Sequence, residues 1–159
     1  AIESYKEALK IKPDYADAHN NIGNTLKNKG DTEAAINNYK QALWIKPDYA
    51  EAYYNMSDAL RSKGDLEAAI ECLQKAVKIK PSYAEAHSDL GAAFLAANQI
   101  ESALASYDKA ISLKKDLDTA ISGLGLLLLK KGKHSEGLDK LRQSEGSIFF
   151  NLKSGLSLK

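Results

Sequence analysis

One row of side chains in this sequence has residue types and a spacing suited to binding a polypeptide. Asn21, Asn55 and Asp89 follow one another at a constant interval of 34, and Gly123 occupies the fourth position. A carboxamide has both N–H donors and a carbonyl acceptor, so it can bond both polar groups of a peptide unit. The row therefore indicates a site for an extended main chain. Repeat duplication alone would produce the same spacing, and the row would then be only a solvated polar face.

Other residue types that could carry chemistry do not occur in patterns that predict it. His19 and His87 lie two repeats apart, and His134 has no neighbouring ligand types, so we expect no metal site. The single cysteine, Cys72, cannot form an intrachain disulfide, and its acidic and apolar neighbours predict a small half-buried side chain rather than a reactive thiol. No nucleophile–base pair and no paired catalytic carboxylates are evident. We therefore expect no enzyme activity and no cofactor.

Composition and charge favour a soluble binding protein. Lys and Arg total 22 against 21 Asp and Glu, a formal charge of +1, which gives no general attraction to nucleic acid or to an anionic membrane. No apolar run approaches the roughly 20 residues that span a bilayer. The sequence thus predicts a cytoplasmic protein that has neither nucleic acid nor membrane as a partner.

The elements that would position the asparagine row are sequence repeats with this same period. Proline interrupts a helix because it lacks an N–H group, and glycine or asparagine ends a helix by adopting left-handed backbone. Each repeat is therefore predicted to contain two helices, the first ended by glycine or asparagine and the second by proline. The prolines are Pro13, Pro47 and Pro81, and the left-handed positions are Gly30, Gly64, Asn98 and Gly132.

Capping signals predict where these helices begin. Asp31 and Asp65 precede the second helix of a pair and fit an N-cap. Asp48 with Glu51 has the spacing of a capping box ahead of a first helix, and Ser82 with Glu85 repeats it one repeat later.

The resulting map is all-α, with a short extension at the C-terminal end. A helical array over residues 1–144 comprises a partial repeat at 1–15, three repeats at 16–49, 50–83 and 84–117, and a degenerate repeat at 118–144. Residues 145–159 alternate partly around Gly155, which favours a small β-hairpin. This tail would cap the last repeat, mediate self-association or join a following domain.

These residues resemble the tetratricopeptide repeat family, whose pattern sets small, apolar and proline residues at fixed offsets. The resemblance implies a right-handed superhelical solenoid of antiparallel helix pairs, with the first helices lining a concave groove. The fourth repeat departs from the pattern with Gly137 at an alanine position. The first full repeat matches at His19, Ile22, Gly23, Leu26, Gly30, Ala35, Tyr39, Ala42 and Pro47.

The resemblance also implies where a ligand would lie, because family ligands usually contact the first helices. The asparagine row is similar to the asparagine ladder of O-linked N-acetylglucosamine transferases. The carboxylate clamp of co-chaperones is not expected, because its three cationic positions here are Asn20, Glu85 and Asp89. The peptide-binding residues implied are Asn20, Asn21, Asn24, Lys27, Tyr54, Asn55, Asp58, Arg61 and Asp89.

The functional hypothesis is a non-catalytic scaffold that binds an extended peptide or a partner protein in this groove. Acidic residues outnumber cations there, which favours a neutral to basic partner. One alternative is the targeting segment of a larger glycosyl- or methyltransferase. Another is a structural protein that self-assembles through the ends of the array, with residues 1–12 or the tail making the contact.

Overall fold

The computed structural model describes Tyr5, residues 15–144, and the backbone of residues 149–151 and 155–157. Within these residues the chain forms eight long helices and two three-residue strands, so the predicted all-α repeat array is confirmed. The chain divides into two compact units, Ala1–Pro81 and Ser82–Lys159. The predicted partial repeat at residues 1–15 lies almost wholly outside the described residues.

Residues 16–79 of the first unit form two helical hairpins. Their helices are α1 (Ala16–Asn28), α2 (Thr32–Ile45), α3 (Ala50–Lys63) and α4 (Leu66–Ile79). Helix α1 packs on α2 and α3 packs on α4, while α2 and α1 both contact α3. Each hairpin thus buries its apolar side partly against the next one.

The second unit repeats this arrangement and ends in the strands. Its helices are α5 (Ala84–Ala96), α6 (Ile100–Leu113), α7 (Asp118–Lys130) and α8 (His134–Gln143). Strand β1 (Phe149–Asn151) pairs antiparallel with β2 (Gly155–Ser157), with Phe150 opposite Leu156. This pairing agrees with the predicted hairpin, although residues 145–148 and 152–154 lie outside the described part. No described helix is both long and apolar enough to cross a membrane.

The predicted stops within each pair are confirmed. The backbone φ angle is +86° at Gly30, +89° at Gly64 and +78° at Gly132, and it is +60° at Asn98. A left-handed residue at this point reverses the chain, so the second helix folds back on the first.

The capping predictions are confirmed for the second helices and wrong for the first helices. The Asp31 carboxylate accepts a hydrogen bond from the Ala34 N–H at 3.2 Å, and Asp65 accepts one from Ala68 at the same distance. Helix α3 instead has Tyr49 at its N-cap without a side-chain bond, so the Asp48–Glu51 box is absent. The Ser82–Glu85 box is absent at α5 for the same reason, because Tyr83 is the N-cap there.

The core combines small residues between helices with larger apolar side chains, among them two tyrosines. Tyr39 and Tyr107 are almost wholly buried. Gly23 lies against the Tyr39 ring, where an added Cβ would be 2.5 Å from Cε1. Gly91 lies in the same way against Tyr107, where an added Cβ would be 2.7 Å from Cδ1 of the ring. The alanines that share two registers are fully buried, and they are Ala35, Ala69, Ala103, Ala42, Ala76 and Ala110.

Candidate peptide-binding face

The predicted site residues of the first unit lie on its two first helices, α1 and α3. On α1, Asn20, Asn24 and Lys27 are spaced at four and then three positions, so they share one side of the helix. Helix α3 contacts α1 directly, so its polar residues can meet those of α1. We refer to this polar surface of α1 and α3 as the amide face.

A hydrogen bond between two asparagines joins the two helices across this face. Asn55 Nδ2 on α3 donates to Asn20 Oδ1 on α1 at 3.0 Å. Asn20 is only 5% exposed, so this bond satisfies a carbonyl that is largely withdrawn from water. The Asn55 amide is therefore partly engaged within the protein, and its carbonyl oxygen is not used in this bond.

Asn21 is the neighbour of Asn20 on α1 and is half-buried. Its backbone carbonyl accepts a hydrogen bond from the Thr25 hydroxyl at 2.8 Å. Within the described part of the chain, no hydrogen bond to its side-chain amide is observed.

Asn24 is held from below by a tyrosine of the second helix. The Tyr39 hydroxyl donates to Asn24 Oδ1 at 2.7 Å, which orients the amide, and the Asn24 N–H groups can donate to a ligand. Burial and the nearby negative charge of Asp58 raise the pKa of Tyr39 to about 12, so the hydroxyl keeps its proton and remains a donor.

Three charged residues form one cluster at the end of the amide face. Lys27 on α1 pairs with Asp58 Oδ2 on α3, and Arg61 pairs with Asp58 Oδ1 at 2.9 Å. Partial burial acts to raise the pKa of Asp58, but the hydrogen bonds from Lys27 and Arg61 hold it below its usual value. The sequence placed these residues at the site without predicting that they pair.

The remaining predicted residues have different surroundings. Tyr54 lies half-buried on α3, and its backbone carbonyl accepts the Ser57 hydroxyl at 2.6 Å. Asp89 lies half-buried on α5 in the second unit, where its charge adds to burial in raising the pKa of Tyr107 to about 12. Gly123, the fourth member of the row, lies under the same tyrosine, and an added Cβ would be 2.6 Å from its hydroxyl oxygen.

Two acidic residues near the site form ion pairs with lysines that were not predicted to belong to it. Lys80 contacts Glu51 at 2.8 Å in the first unit, and Lys114 contacts Glu85 at 3.3 Å in the second. In each pair the lysine follows the end of a second helix and the acid lies in the first turn of the preceding first helix. The count of acidic residues therefore overstated the negative charge that a partner would meet.

The first helices of the second unit carry apolar residues at the positions equivalent to the charged cluster. Leu126 on α7 is 47% exposed, and Leu95 on α5 is half-buried. These residues occupy the repeat positions of Asp58 and Arg61, so the charged cluster does not recur there.

The described residues contain no group of three or more His, Cys, Asp or Glu that could hold a metal ion. The Nδ1 atom of His19 instead lies 3.5 Å from the side-chain carbonyl oxygen of Asn38. Cys72 is buried, and this burial raises its pKa to about 11, so the thiol is protonated at neutral pH.

Helical hairpins that recur at this constant period define a helical repeat protein. The family model of the TPR repeat matches residues 1–30, 23–60, 57–97 and 93–132. These matches cover most of the chain, so it belongs to the tetratricopeptide repeat family. No curated protein matches the sequence.

Solved structures of other TPR proteins share this fold. A crystal structure of MamA is 29% identical, with a TM-score of 0.81 over 90% of this chain and 84% of its own. TTC0263, a thermophilic TPR protein of Thermus thermophilus, is 26% identical, with a TM-score of 0.72 over 90% and 79%. YrrB, described as a TPR protein with an unusual peptide-binding site, is 23% identical, with a TM-score of 0.80 over 91% and 74%.

Proposed function

We propose that this chain is a non-catalytic scaffold whose amide face binds an extended segment of a partner protein. The TPR fold is typical of protein–protein interaction, and the particular ligand follows from the side chains on α1 and α3. The observation that carries the proposal is the bonded pair Asn20–Asn55 beside the available amide of Asn21. Amides held on two adjacent helices are positioned before a ligand arrives, which lowers the entropy cost of binding.

The main chain of the partner is the ligand that this chemistry suits best. A peptide unit has one donor and one acceptor, and an asparagine amide can satisfy both. The Asn55 carbonyl oxygen can accept from a peptide N–H, while the Asn24 N–H groups can donate to a peptide carbonyl. This type of contact is the one implied by the resemblance to the asparagine ladder of O-linked N-acetylglucosamine transferases.

The charge of the partner follows from the ion pairs. Glu51 and Glu85 are compensated by lysines that follow the second helices, and Asp58 by two cations. We therefore propose a mainly neutral partner segment, with a preference for basic residues weaker than the count of acidic residues predicts, because exposed charges are screened at physiological salt.

Site-specific photo-crosslinking would test which face binds the partner. A photoreactive phenylalanine analogue replaces Tyr54 on the amide face in one variant and Trp44 in another. Trp44 lies on the second helix α2 and is 81% exposed, so it provides a control that is at least as accessible. We expect one discrete crosslinked protein at position 54 and none at position 44. Crosslinks at position 44 alone would refute binding by the amide face.

A further inference from the structure

The charged cluster of Lys27, Asp58 and Arg61 has an unusual place in the repeat. Lys27 and Arg61 are one full period apart, so they occupy the same position in successive repeats. Asp58 lies between them and gives one carboxylate oxygen to each. The cluster is specific to α1 and α3, because the equivalent residues of the second unit are apolar, namely Ala92, Leu95, Leu126 and Leu129.

The charge of the cluster of Lys27, Asp58 and Arg61 is not balanced. Two cations share one carboxylate, which leaves a local net charge of +1. An ammonium and a guanidinium each have more N–H donors than one carboxylate oxygen can use. Lys27 and Asp58 have side chains 30% and 32% exposed, and that of Arg61 is 47% exposed, so the unused donors remain accessible.

The neighbouring polar group also presents donors. Asn24 lies one helical turn before Lys27, on the same side of α1. Its carbonyl oxygen accepts a hydrogen bond from the Tyr39 hydroxyl, which fixes the orientation of the amide, and its N–H groups can donate to a ligand. Donors of Asn24, Lys27 and Arg61 thus converge on one part of the surface, where Asp58 holds both cations in place.

A contribution to stability alone does not account for this arrangement. Exposed ion pairs stabilise a fold only slightly, and a second cation on an already paired carboxylate adds repulsion between the cations. A second carboxylate placed between Lys27 and Arg61 would offset that repulsion and use the free donors. Charge-assisted hydrogen bonds to a planar anion are the interactions that such a fork of donors makes best.

We propose that Lys27 and Arg61 form a subsite for a carboxylate of the partner, with Asp58 as the residue that positions both cations. The carboxylate comes from an aspartate or glutamate side chain, or from the end of the partner chain. This inference rests on the proposed function, because it places an acidic group next to the main-chain segment on the amide face. The subsite differs from the co-chaperone clamp, whose positions here are Asn20, Asn24, Asn55, Glu85 and Asp89.

The test uses blocked amino acids as probes, because they lack the main-chain length that the asparagines would bind. N-acetyl-glutamate N-methylamide supplies a side-chain carboxylate, and N-acetylglycine supplies a chain-end carboxylate. N-acetyl-glutamine N-methylamide is the uncharged control. Each is titrated into the isotopically labelled chain while the side-chain N–H resonances of Asn24 and Arg61 are followed by nuclear magnetic resonance.

We expect saturable shifts with one or both carboxylate probes and none with the glutamine derivative. A response to the glutamate derivative alone assigns the subsite to acidic side chains, and a response to N-acetylglycine alone assigns it to a chain end. Equal shifts with the glutamine derivative, or no shift with any probe, would overturn the proposal.

Variants that remove equal charge decide whether the cluster is responsible. Lys27→Gln/Arg61→Gln should weaken carboxylate binding by about tenfold, because charge-assisted hydrogen bonds are lost. Lys29→Gln/Lys63→Gln removes the same formal charge from the same helix ends and should leave the affinity unchanged. Equal weakening in both variants would indicate a general charge effect and refute the subsite. If the subsite fails while the asparagine variants still weaken peptide binding, the proposed function stands without it.

Discussion

Glycines packed on buried tyrosines impose the strictest constraint on single residues. Gly23 and Gly91 leave the space that the rings of Tyr39 and Tyr107 occupy. The equivalent residue of the intervening repeat is Ser57, and there the tyrosine position holds Leu73. The repeat that has a side chain at the glycine position of its first helix thus has a residue smaller than tyrosine at the facing position of its second helix.

Replacing Gly23 with alanine should destabilise the first unit. The added Cβ would lie 2.5 Å from Tyr39 Cε1, so the ring or the helix must move. Such overpacking costs about 1–3 kcal/mol in the free energy of unfolding. Urea unfolding measures the loss, and Ser57→Ala, at the same repeat position, should change the stability much less. If adding Tyr39→Leu to Gly23→Ala does not recover part of the loss, the steric explanation is wrong.

Asn55 and Asn21 should differ in their effect on stability. Asn55→Ala leaves the buried Asn20 carbonyl without its bond, and an unsatisfied buried group costs about 1–3 kcal/mol. Asn21→Ala removes no observed side-chain hydrogen bond, and such surface changes usually stay within about 0.5 kcal/mol. Thermal melts of the two single variants compare them directly. Equal melting temperatures would show that the Asn20–Asn55 bond contributes nothing.

The residues of the candidate site could be proposed from the sequence, but their pairing could not. The repeat period places Asn55 and Asp58 on a first helix without giving the distance between α1 and α3. That distance decides whether Asn20 reaches Asn55 and whether Lys27 reaches Asp58. The pairs Glu51–Lys80 and Glu85–Lys114 were missed for the same reason, although their equal spacing along the chain was visible in the sequence.

Among the helices, the second helices differ in whether a side chain caps their first turn. Helices α2 and α4 have Asp31 and Asp65 as N-caps, and each carboxylate accepts a backbone N–H. Helix α6 has Gln99 at the equivalent position, and no side-chain cap bond forms there. The first backbone N–H groups of α6 consequently lack an acceptor that the two preceding repeats provide.

Replacing Gln99 with aspartate should therefore stabilise the second unit. An N-cap aspartate accepts a backbone N–H and interacts favourably with the helix dipole, which together contribute about 1 kcal/mol. The melting temperature of Gln99→Asp should rise, and that of the reverse control, Asp65→Gln, should fall. An unchanged or lower melting temperature for Gln99→Asp would contradict this account of the repeat.

Helix existence and helix stops followed from local residue types, whereas two helix starts did not. A left-handed glycine acts within its own turn, so the period sufficed to predict Gly30 and Gly64. Asp48 and Glu51 also have a local signature, but α3 begins one residue later than a capping box at these positions requires, with Tyr49 at its N-cap. The residue at which a helix starts was not decided by the spacing of Asp48 and Glu51 alone.

For the molecule as a whole, self-association through residues 1–12 remains a prediction. Residues 1–12 carry Ile2, Tyr5 and Leu9, which the sequence predicts to form an apolar helix face, and all of these except Tyr5 lie outside the described residues. Exposed apolar faces are usually covered by another surface. We therefore expect the chain of residues 1–159 to self-associate at high protein concentration. Sedimentation velocity up to about millimolar concentration tests this, and a strict monomer throughout would contradict it.

The function proposed for this protein depends on the amide face as the place where a partner binds. Its most direct test is a calorimetric titration of the peptide identified by crosslinking at position 54. Asn21→Ala/Asn55→Ala should weaken binding by about 1–3 kcal/mol, taking about 0.5–1.5 kcal/mol for each lost hydrogen bond. The control Asn37→Ala/Gln41→Ala removes two exposed amides from α2 and should bind like the parent. If the asparagine variant, shown by circular dichroism to be folded, also binds like the parent, the partner contacts another surface and the central claim is wrong.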